Sequence, residues 1–417
     1  MSKRAMNKVL NSKFITRSKI IFVGSLIAQI IAFATSFVLT GYFTPEDLGL
    51  LGTLTALISI VSGTLSFRSE LAVIHADKED APNVFFQSTL FSAFCSTLFC
   101  LICFFLPWEF AKKITTYFLP FLLWTWAYFL FFNSKQLSFK FNELNIAASG
   151  SIWRNAVTLV YQLVGGIINP TFAWILSGRI IGDYVGTWIH AKNYWKLIDF
   201  KKSTSNWKNY IRKNSDYILY MTPHHLCLTL SSNIVIFFLE DGFGLAIVGF
   251  FSLAQRLIQA PMEILGSTLF NITTQRFSEL KDDPKDLKKF YIKIIVLSFV
   301  ISSICGVIIF FAIDFVIPWF GTKWLGTSGM VKSLIPLFMT TLIVTPTTYF
   351  LRIIGKSAMQ LGMEIIELIS KLSFLIFFKF GNPNDLVLYY GLLSFFMSLI
   401  KSSIAFYVYD KKPRRLI

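Results

Sequence analysis

Apolar runs long enough to cross a bilayer recur along this chain, separated by short polar or turn-forming stretches. Twelve can be marked, at about 20–41, 47–67, 84–106, 116–133, 149–167, 171–190, 217–239, 244–270, 290–317, 330–351, 358–379 and 384–408. The hydrocarbon core of a bilayer takes roughly 20 residues of α-helix. A helix satisfies its own backbone polar groups, which an apolar solvent demands. The pattern therefore predicts an all-α, polytopic membrane protein with about twelve transmembrane helices. Loops on one side are short and turn-like ("YFTPEDLG", "INP", "EDGFG", "FGNPND"), and those on the other are longer and basic. An even number of spans puts both termini on the same side.

The longest loop, 191–216, falls between spans six and seven and holds seven basic residues. It divides the chain into an amino-terminal segment (1–19), a six-helix bundle (20–190), a basic linker (191–216), a second six-helix bundle (217–408) and a tail (409–417). An internal echo supports a duplicated unit. Glu46-Asp47 and Gly49 open the second span, and Glu240-Asp241 and Gly242 stand at the matching turn of the second half. Pairing the acidic turns sets Gly49 opposite Gly242. Two six-helix repeats related by an axis along the membrane normal are one known transporter plan.

Composition sharpens this picture. Of 417 residues, 54% are hydrophobic and 15% charged, with 45 Phe, whereas soluble domains carry about 25% charged residues. Folded in water, this chain would expose large apolar areas, which excludes an ordinary soluble enzyme. The net charge of +16 would suggest nucleic acid in a soluble protein, but its distribution says otherwise. Of 39 Lys and Arg, 29 fall in the segments assigned to the cytoplasm and 5 (Lys112, Lys113, Lys323, Lys332, Lys379) in those assigned outside. That is the positive-inside signature. It places both termini in the cytoplasm and makes anionic lipid, not nucleic acid, the partner of the basic charge. The first apolar run is longer than a signal-peptide core and is read as a retained span. The five cysteines sit in apolar runs, with no disulfide or zinc framework. Trp108, Trp319 and Trp324 are expected at the outer interface as an aromatic belt.

Ionisable residues inside spans cost several kcal/mol each, so they face a protein interior or a wet cavity. Arg179 and Asp183 stand four apart in "LSGRIIGDYVG" and share a helix face. Arg256, Gln259 and Glu263 follow at spacings of three and four. Glu364, Glu367 and Lys371 form a stripe about 10 Å long. Arg154 sits near the start of span five and Lys401 in span twelve. Arg68 and Glu70 close the cytoplasmic end of span two, as a gate there would, and either they or Lys401 would otherwise snorkel to the interface. These groups either pin helices together as ion pairs or line a polar cavity. If they line a cavity, Arg154, Arg179, Arg256 and Lys371 are its cations, suited to an anion such as a diphosphate. Asp183, Glu263, Glu364 and Glu367 are then the candidates for ion coupling. His224 and His225 are expected as polar anchors at the start of span seven. There is no phosphate loop, no catalytic or metal-spaced motif, and no cofactor is implied; the chain reads as a non-enzyme.

An ordered series of segments resembles a known family. "GYFTPEDLGLLGTLTALISIVSGTLSFRSELAVIHADKEDAPNVFFQS", "SGSIWRNAVTLVYQLVGG" with "LSGRIIGDYVG", and "LSSNIVIFFLEDGFGLAIVGFFSLAQRLIQAPMEILGSTLFNITTQRFSEL" are similar to the polysaccharide (O-antigen, capsule) flippases. These are the Wzx-type, or PST, branch of the multidrug/oligosaccharidyl-lipid/polysaccharide (MOP) exporter superfamily. Ser69 departs from the aromatic that usually precedes Glu-Leu-Ala there. The resemblance covers roughly residues 20–290. It implies a MOP/MATE-like fold of two bundles around a cationic cavity. It also implies alternating-access transfer of undecaprenyl-diphosphate-linked oligosaccharide from the cytoplasmic to the periplasmic leaflet. Arg154, Arg179 and Arg256 carry over as cavity residues. A polysaccharide polymerase and a chain-length regulator are the protein partners such a flippase works beside. A MATE-like drug or cation antiporter would need a preponderance of acidic cavity residues. A membrane-embedded polymerase would need a large external loop, and the longest here is about a dozen residues.

Overall fold

The computed structural model describes residues 3–200, 207–280 and 283–410, and these form helices and turns with no β-strand. Each of the twelve apolar runs coincides with one helix of 20 residues or more. They are α1 (Lys3–Tyr42), α2 (Pro45–Leu65), α4 (Ala81–Ile102), α6 (Phe118–Lys140), α7 (Leu144–Ile168) and α8 (Phe172–Ala191), then α10 (Thr222–Phe243), α11 (Leu245–Glu279), α12 (Pro284–Val316), α13 (Thr327–Ile353), α14 (Ser357–Phe377) and α15 (Pro383–Asp410). Three short helices lie between them: α3 (Ser69–His75), α5 (Glu109–Thr116) and α9 (Trp207–Lys213). Seven of the long helices are apolar enough by themselves to cross a membrane. Three of the others, α7, α8 and α14, carry intramembrane charges singled out above, and charge within the run lowers its hydropathy. The fold is thus all-α and polytopic.

The chain divides into two compact units. The first comprises Met1–Phe43 and Thr53–Thr229, the second Thr44–Gly52 and Leu230–Ile417. In the first, α7 packs along both α1 and α8, and α8 packs on α6. Small residues bring α1 close to α7: a Cβ added at Gly24 would lie 2.4 Å from that of Ala148. Asn155 of α7 donates to the Ala28 carbonyl at 2.8 Å. In the second unit, α13 is central and packs on α11, α12 and α15.

The described part of the basic linker is packed against α4. Trp195 meets Phe85 edge-on at 6.2 Å, Phe200 meets Phe86 at 5.0 Å, and the buried Tyr210 lies 6.2 Å from Phe91. The Asp199 amide donates to Asn83 at 2.8 Å. Tyr194 stacks on Phe141 and donates to the Glu143 carboxylate; burial first, and that hydrogen bond second, push its phenol pKa up. Residues 201–206 of the linker, 411–417 of the tail and 1–2 of the amino-terminal segment lie outside the described residues.

The sequence echo is realised in a different register. Helix α2 starts after Thr44, whose hydroxyl and amide exchange hydrogen bonds with the Asp47 carboxylate and amide in a capping box. Helix α11 starts 200 residues later, after Gly244 at φ +83°. Within the second unit these two helix starts cross. A Cβ at Gly49 would come within 1.9 Å of the Leu245 carbonyl oxygen, and one at Gly249 within 1.9 Å of the Pro45 oxygen. One at Gly52 would lie 2.0 Å from Ser252 Oγ. Every contact maps onto itself when residue i exchanges with i+200. Gly49 therefore answers to Gly249, not to Gly242, where nothing lies within 4 Å of an added Cβ. The acidic turns mislead because Glu46-Asp47 begins a helix while Glu240-Asp241 ends one. Trp324 also differs from expectation. It is fully buried and lies against Phe250, whereas Trp108 and Trp319 are exposed as an interfacial belt requires.

Backbone against backbone leaves no room for a methyl group. Gly49→Ala and Gly249→Ala should each abolish monodisperse, folded protein on detergent size exclusion, while Gly41→Ala and Gly242→Ala should elute as the parent does.

Candidate functional site

Helix α8 presents Gly178, Gly182 and Gly186 at every fourth position, one stripe of small residues. A Cβ at Gly182 would sit 2.1 Å from Thr158 Oγ1 and 2.7 Å from the Arg154 carbonyl oxygen, and one at Gly186 would sit 3.1 Å from Arg154 Cβ. The stripe therefore lets α7 lie directly on α8 and sets Arg154 beside Asp183. Their side chains form an ion pair in which the carboxylate has no exposed surface and Arg154 keeps 14%. The second carboxylate oxygen accepts from Trp124 Nε1 at 3.0 Å. The guanidinium carbon stands 4.2 Å from the centroid of Phe131. One turn before Asp183, Arg179 is partly exposed. Tyr128 lies within electrostatic reach of Arg154, Arg179, Asp183 and Glu70. His190, two turns beyond Asp183, is buried between the Ala147 carbonyl (3.2 Å) and Ser134 (3.4 Å).

Sequence reasoning missed the aromatic side of this cluster. Trp124, Tyr128 and Phe131 stand at spacings of four and three, one face of α6. That periodicity was the available signal, masked by the aromatic richness of the whole helix.

Just past the carboxyl end of α2, Phe67 and Arg68 both adopt left-handed backbone angles, φ +49° and +56°, which two consecutive side-chain-bearing residues rarely do. The turn redirects the chain into α3 and lets Arg68 pair with Glu70 at 2.9 Å. Next to them, Ser69 and Asn133 exchange hydrogen bonds at 3.0–3.2 Å, and Lys140 donates to the Ile74 carbonyl at 3.0 Å. The ring of His225 packs on Gly63, where a Cβ would lie 2.3 Å from it.

In the second unit, Glu364, Glu367 and Lys371 of α14 meet Lys401 of α15. Lys401 Nζ stands 2.9 Å from Glu364 and 2.5 Å from Glu367, and Lys371 Nζ stands 2.6 Å from Glu367. Lys371 also donates to Ser231 Oγ (3.0 Å) and to the Ser231 carbonyl (3.2 Å) on α10. All four charged residues are at most 6% exposed. Two carboxylates and two ammonium groups cancel, as burial requires. Lys401 thus enters the network and does not snorkel. Ser231 gave no sequence signal, being one serine among many in apolar helices.

Arg256 of α11 is different. It is partly exposed, and among the described residues it has no hydrogen-bond or ion-pair partner. The Glu263 side chain, expected one stripe away, lies outside the described residues. Among the described residues no group of three or more His, Cys, Asp or Glu side chains is placed to hold a metal.

The chain matches a protein family described as polysaccharide biosynthesis protein over residues 38–329. No curated protein matches it significantly. Among solved structures it is similar to a multidrug-resistance MATE-family transporter of the MOP superfamily in its inward-facing conformation, at 13% identity and TM-score 0.72, over 92% of this chain and 96% of that one. It is also similar to the lipid II flippase MurJ in an inward closed conformation, at 14% identity and TM-score 0.69, over 94% and 88%. A MOP superfamily transporter from Pyrococcus furiosus aligns at 16% identity and TM-score 0.63, over 95% and 96%. These likenesses establish a MOP-type fold.

Breaking one partner of a buried ion pair costs about 3–5 kcal/mol, whereas replacing both by apolar groups is nearly neutral. Asp183→Leu and Arg154→Leu should each lower the thermal midpoint sharply, and the double variant should recover most of the loss. Additive losses in that cycle would mean the pair is not coupled.

Proposed function

We propose, because this chain belongs to the polysaccharide biosynthesis protein family, that it moves a lipid-linked saccharide across the membrane by alternating access. The substrate class we infer is an undecaprenyl-diphosphate-linked oligosaccharide, an O-antigen or capsular repeat unit, passed from the cytoplasmic to the periplasmic leaflet of a bacterial cell membrane. Both termini are then cytoplasmic, and a polymerase and chain-length regulator act on the product outside.

The observation that carries this reading is the contrast between Arg256 and the other charges within the helices. Arg154 and Lys371 are each answered by a carboxylate, while Arg256 keeps accessible surface and has no partner among the described residues. A guanidinium in a low-dielectric setting binds an oxyanion strongly, and its planar fork matches a phosphate oxygen pair. Arg256, in the second unit, is the residue proposed to receive the diphosphate. In the first unit Arg154, paired with Asp183, holds α7 on α8, Arg179 is a further candidate cation, and Arg68 with Glu70 is proposed to close the cytoplasmic end. The similarity of fold to MurJ, a lipid II flippase, fits a lipid-linked substrate.

Energetics supports the direction. A diphosphate carries up to about two negative charges, and the cell interior is negative. Moving each charge outward gains about 2.3 kcal/mol per 100 mV, so two gain roughly 4–5 kcal/mol. Transport then needs no nucleotide site.

In a deletion strain, lipid-linked repeat units should accumulate complete but inaccessible to a membrane-impermeant glycan-modifying reagent applied to spheroplasts. Arg256→Ala should fail to restore accessibility, and Arg256→Lys should restore part of it. If the units reach the outer leaflet in the deletion strain, the protein acts after transfer and this reading is wrong.

A further inference from the structure

The Lys371 ammonium has the surroundings of a bound metal cation. Three oxygens lie within reach: a Glu367 carboxylate oxygen at 2.6 Å, the Ser231 hydroxyl at 3.0 Å and the Ser231 carbonyl at 3.2 Å. The Tyr390 ring faces it at 4.9 Å, and the Tyr390 hydroxyl donates to the same Ser231 carbonyl. Ser231, Lys371 and Tyr390 belong to α10, α14 and α15, and all three are at most 3% exposed. A carboxylate, a carbonyl and a hydroxyl converging from separate helices form the kind of donor set that hard cations take. Here the cation is covalently attached.

We propose that Lys371 is a tethered cation that fills an oxygen-lined, alkali-ion-type site and so joins α10, α14 and α15 without an exchangeable ion. Glu367 and Glu364 are then the counter-ions of two fixed lysines, not exchange sites for a coupling ion. Charge arithmetic gives the consequence. The cluster holds Glu364, Glu367, Lys371 and Lys401 and sums to zero. Removing the Lys371 side chain leaves one uncompensated negative charge, three oxygens and a vacant space. A monovalent cation is what that remnant would bind. Methionine in its place would leave the same negative charge and fill the space. The inference concerns packing within the second unit and stands whatever the transported molecule is.

The test compares thermal unfolding of purified wild type, K371A, K371M and K371A/E367Q in sodium, methylammonium and choline chloride at equal ionic strength. Wild type should melt at the same temperature in all three salts. K371A should melt roughly 3–6 °C lower in choline, as expected for a broken buried ion pair in a chain of this length. Sodium and methylammonium should restore much of that loss saturably, because they fit the vacated space and choline does not. K371M should stay low in every salt. K371A/E367Q, again neutral, should lose the response to sodium. A K371A protein equally unstable, or equally unrecoverable, in all three salts overturns the proposal. So does a K371M protein as stable as wild type, which would make Lys371 a spacer and not a charge.

Discussion

The fully buried carboxylate of Asp183 shares its two oxygens between Arg154 and Trp124, and much of the first unit follows from that division. A charge moved from water into an apolar interior loses several kcal/mol of solvation, and only close opposite charge and hydrogen bonds return it. The partners must therefore be near, and nearness across helices demands thin helix surfaces. Gly178, Gly182 and Gly186 supply one. They remove the side chains that would hold α7 away from α8, and Phe131 covers the guanidinium from α6. The pair, the glycine stripe and the aromatic face are one solution to a single electrostatic problem. The second unit solves it with four charges in place of two.

Several hydroxyls of the spans are handled more cheaply. Thr35, Thr125, Thr187 and Ser394 each donate to a carbonyl four residues earlier in their own helix, which satisfies a hydroxyl within the helix. A bond of that kind places no constraint on how helices pack. The charged residues do, and for that reason they mark where helices are fixed. A charge left without a partner among the described residues has a different meaning, because no described contact uses it. Arg256 is such a charge among the described residues, which is why the functional reading rests on it and not on the more conspicuous stripe of α14.

The helices were legible in the sequence because their cause is local. Twelve apolar runs of bilayer length leave the chain no other way to satisfy its backbone. The positions of charges along them were legible too, but their pairing was not. Arg179 and Asp183, four apart, share a face of α8, yet the groups that hold the Asp183 carboxylate include Arg154 and Trp124, 29 and 59 residues away in sequence. Lys401 sits alone in its helix and gives no hint of two glutamates on another. Trp324 has the composition of an interface anchor and the position of a core residue. In each case the deciding contact is between helices, and hydropathy along one strand of sequence carries no information about it. The linker shows the same limit: its basic charge marked it only as a connection between bundles, while Trp195, Phe200 and Tyr210 bind it to α4.

The crossing of α2 and α11 has a consequence for the history of the chain. Gly49 touching Leu245 and Gly249 touching Pro45 is a contact that two identical six-helix polypeptides would make with one glycine used twice, as in any isologous interface. Once two copies are joined in one chain, each can drift alone. On that reading the caps would have diverged: Thr44 starts its helix with a side-chain hydrogen bond, and Gly244 starts the helix 200 residues on with a left-handed backbone. The glycines would not, because each is held by the backbone of the opposing helix. A duplication old enough to erase its own sequence similarity would still be readable at that one crossing, where neither copy can accept a side chain.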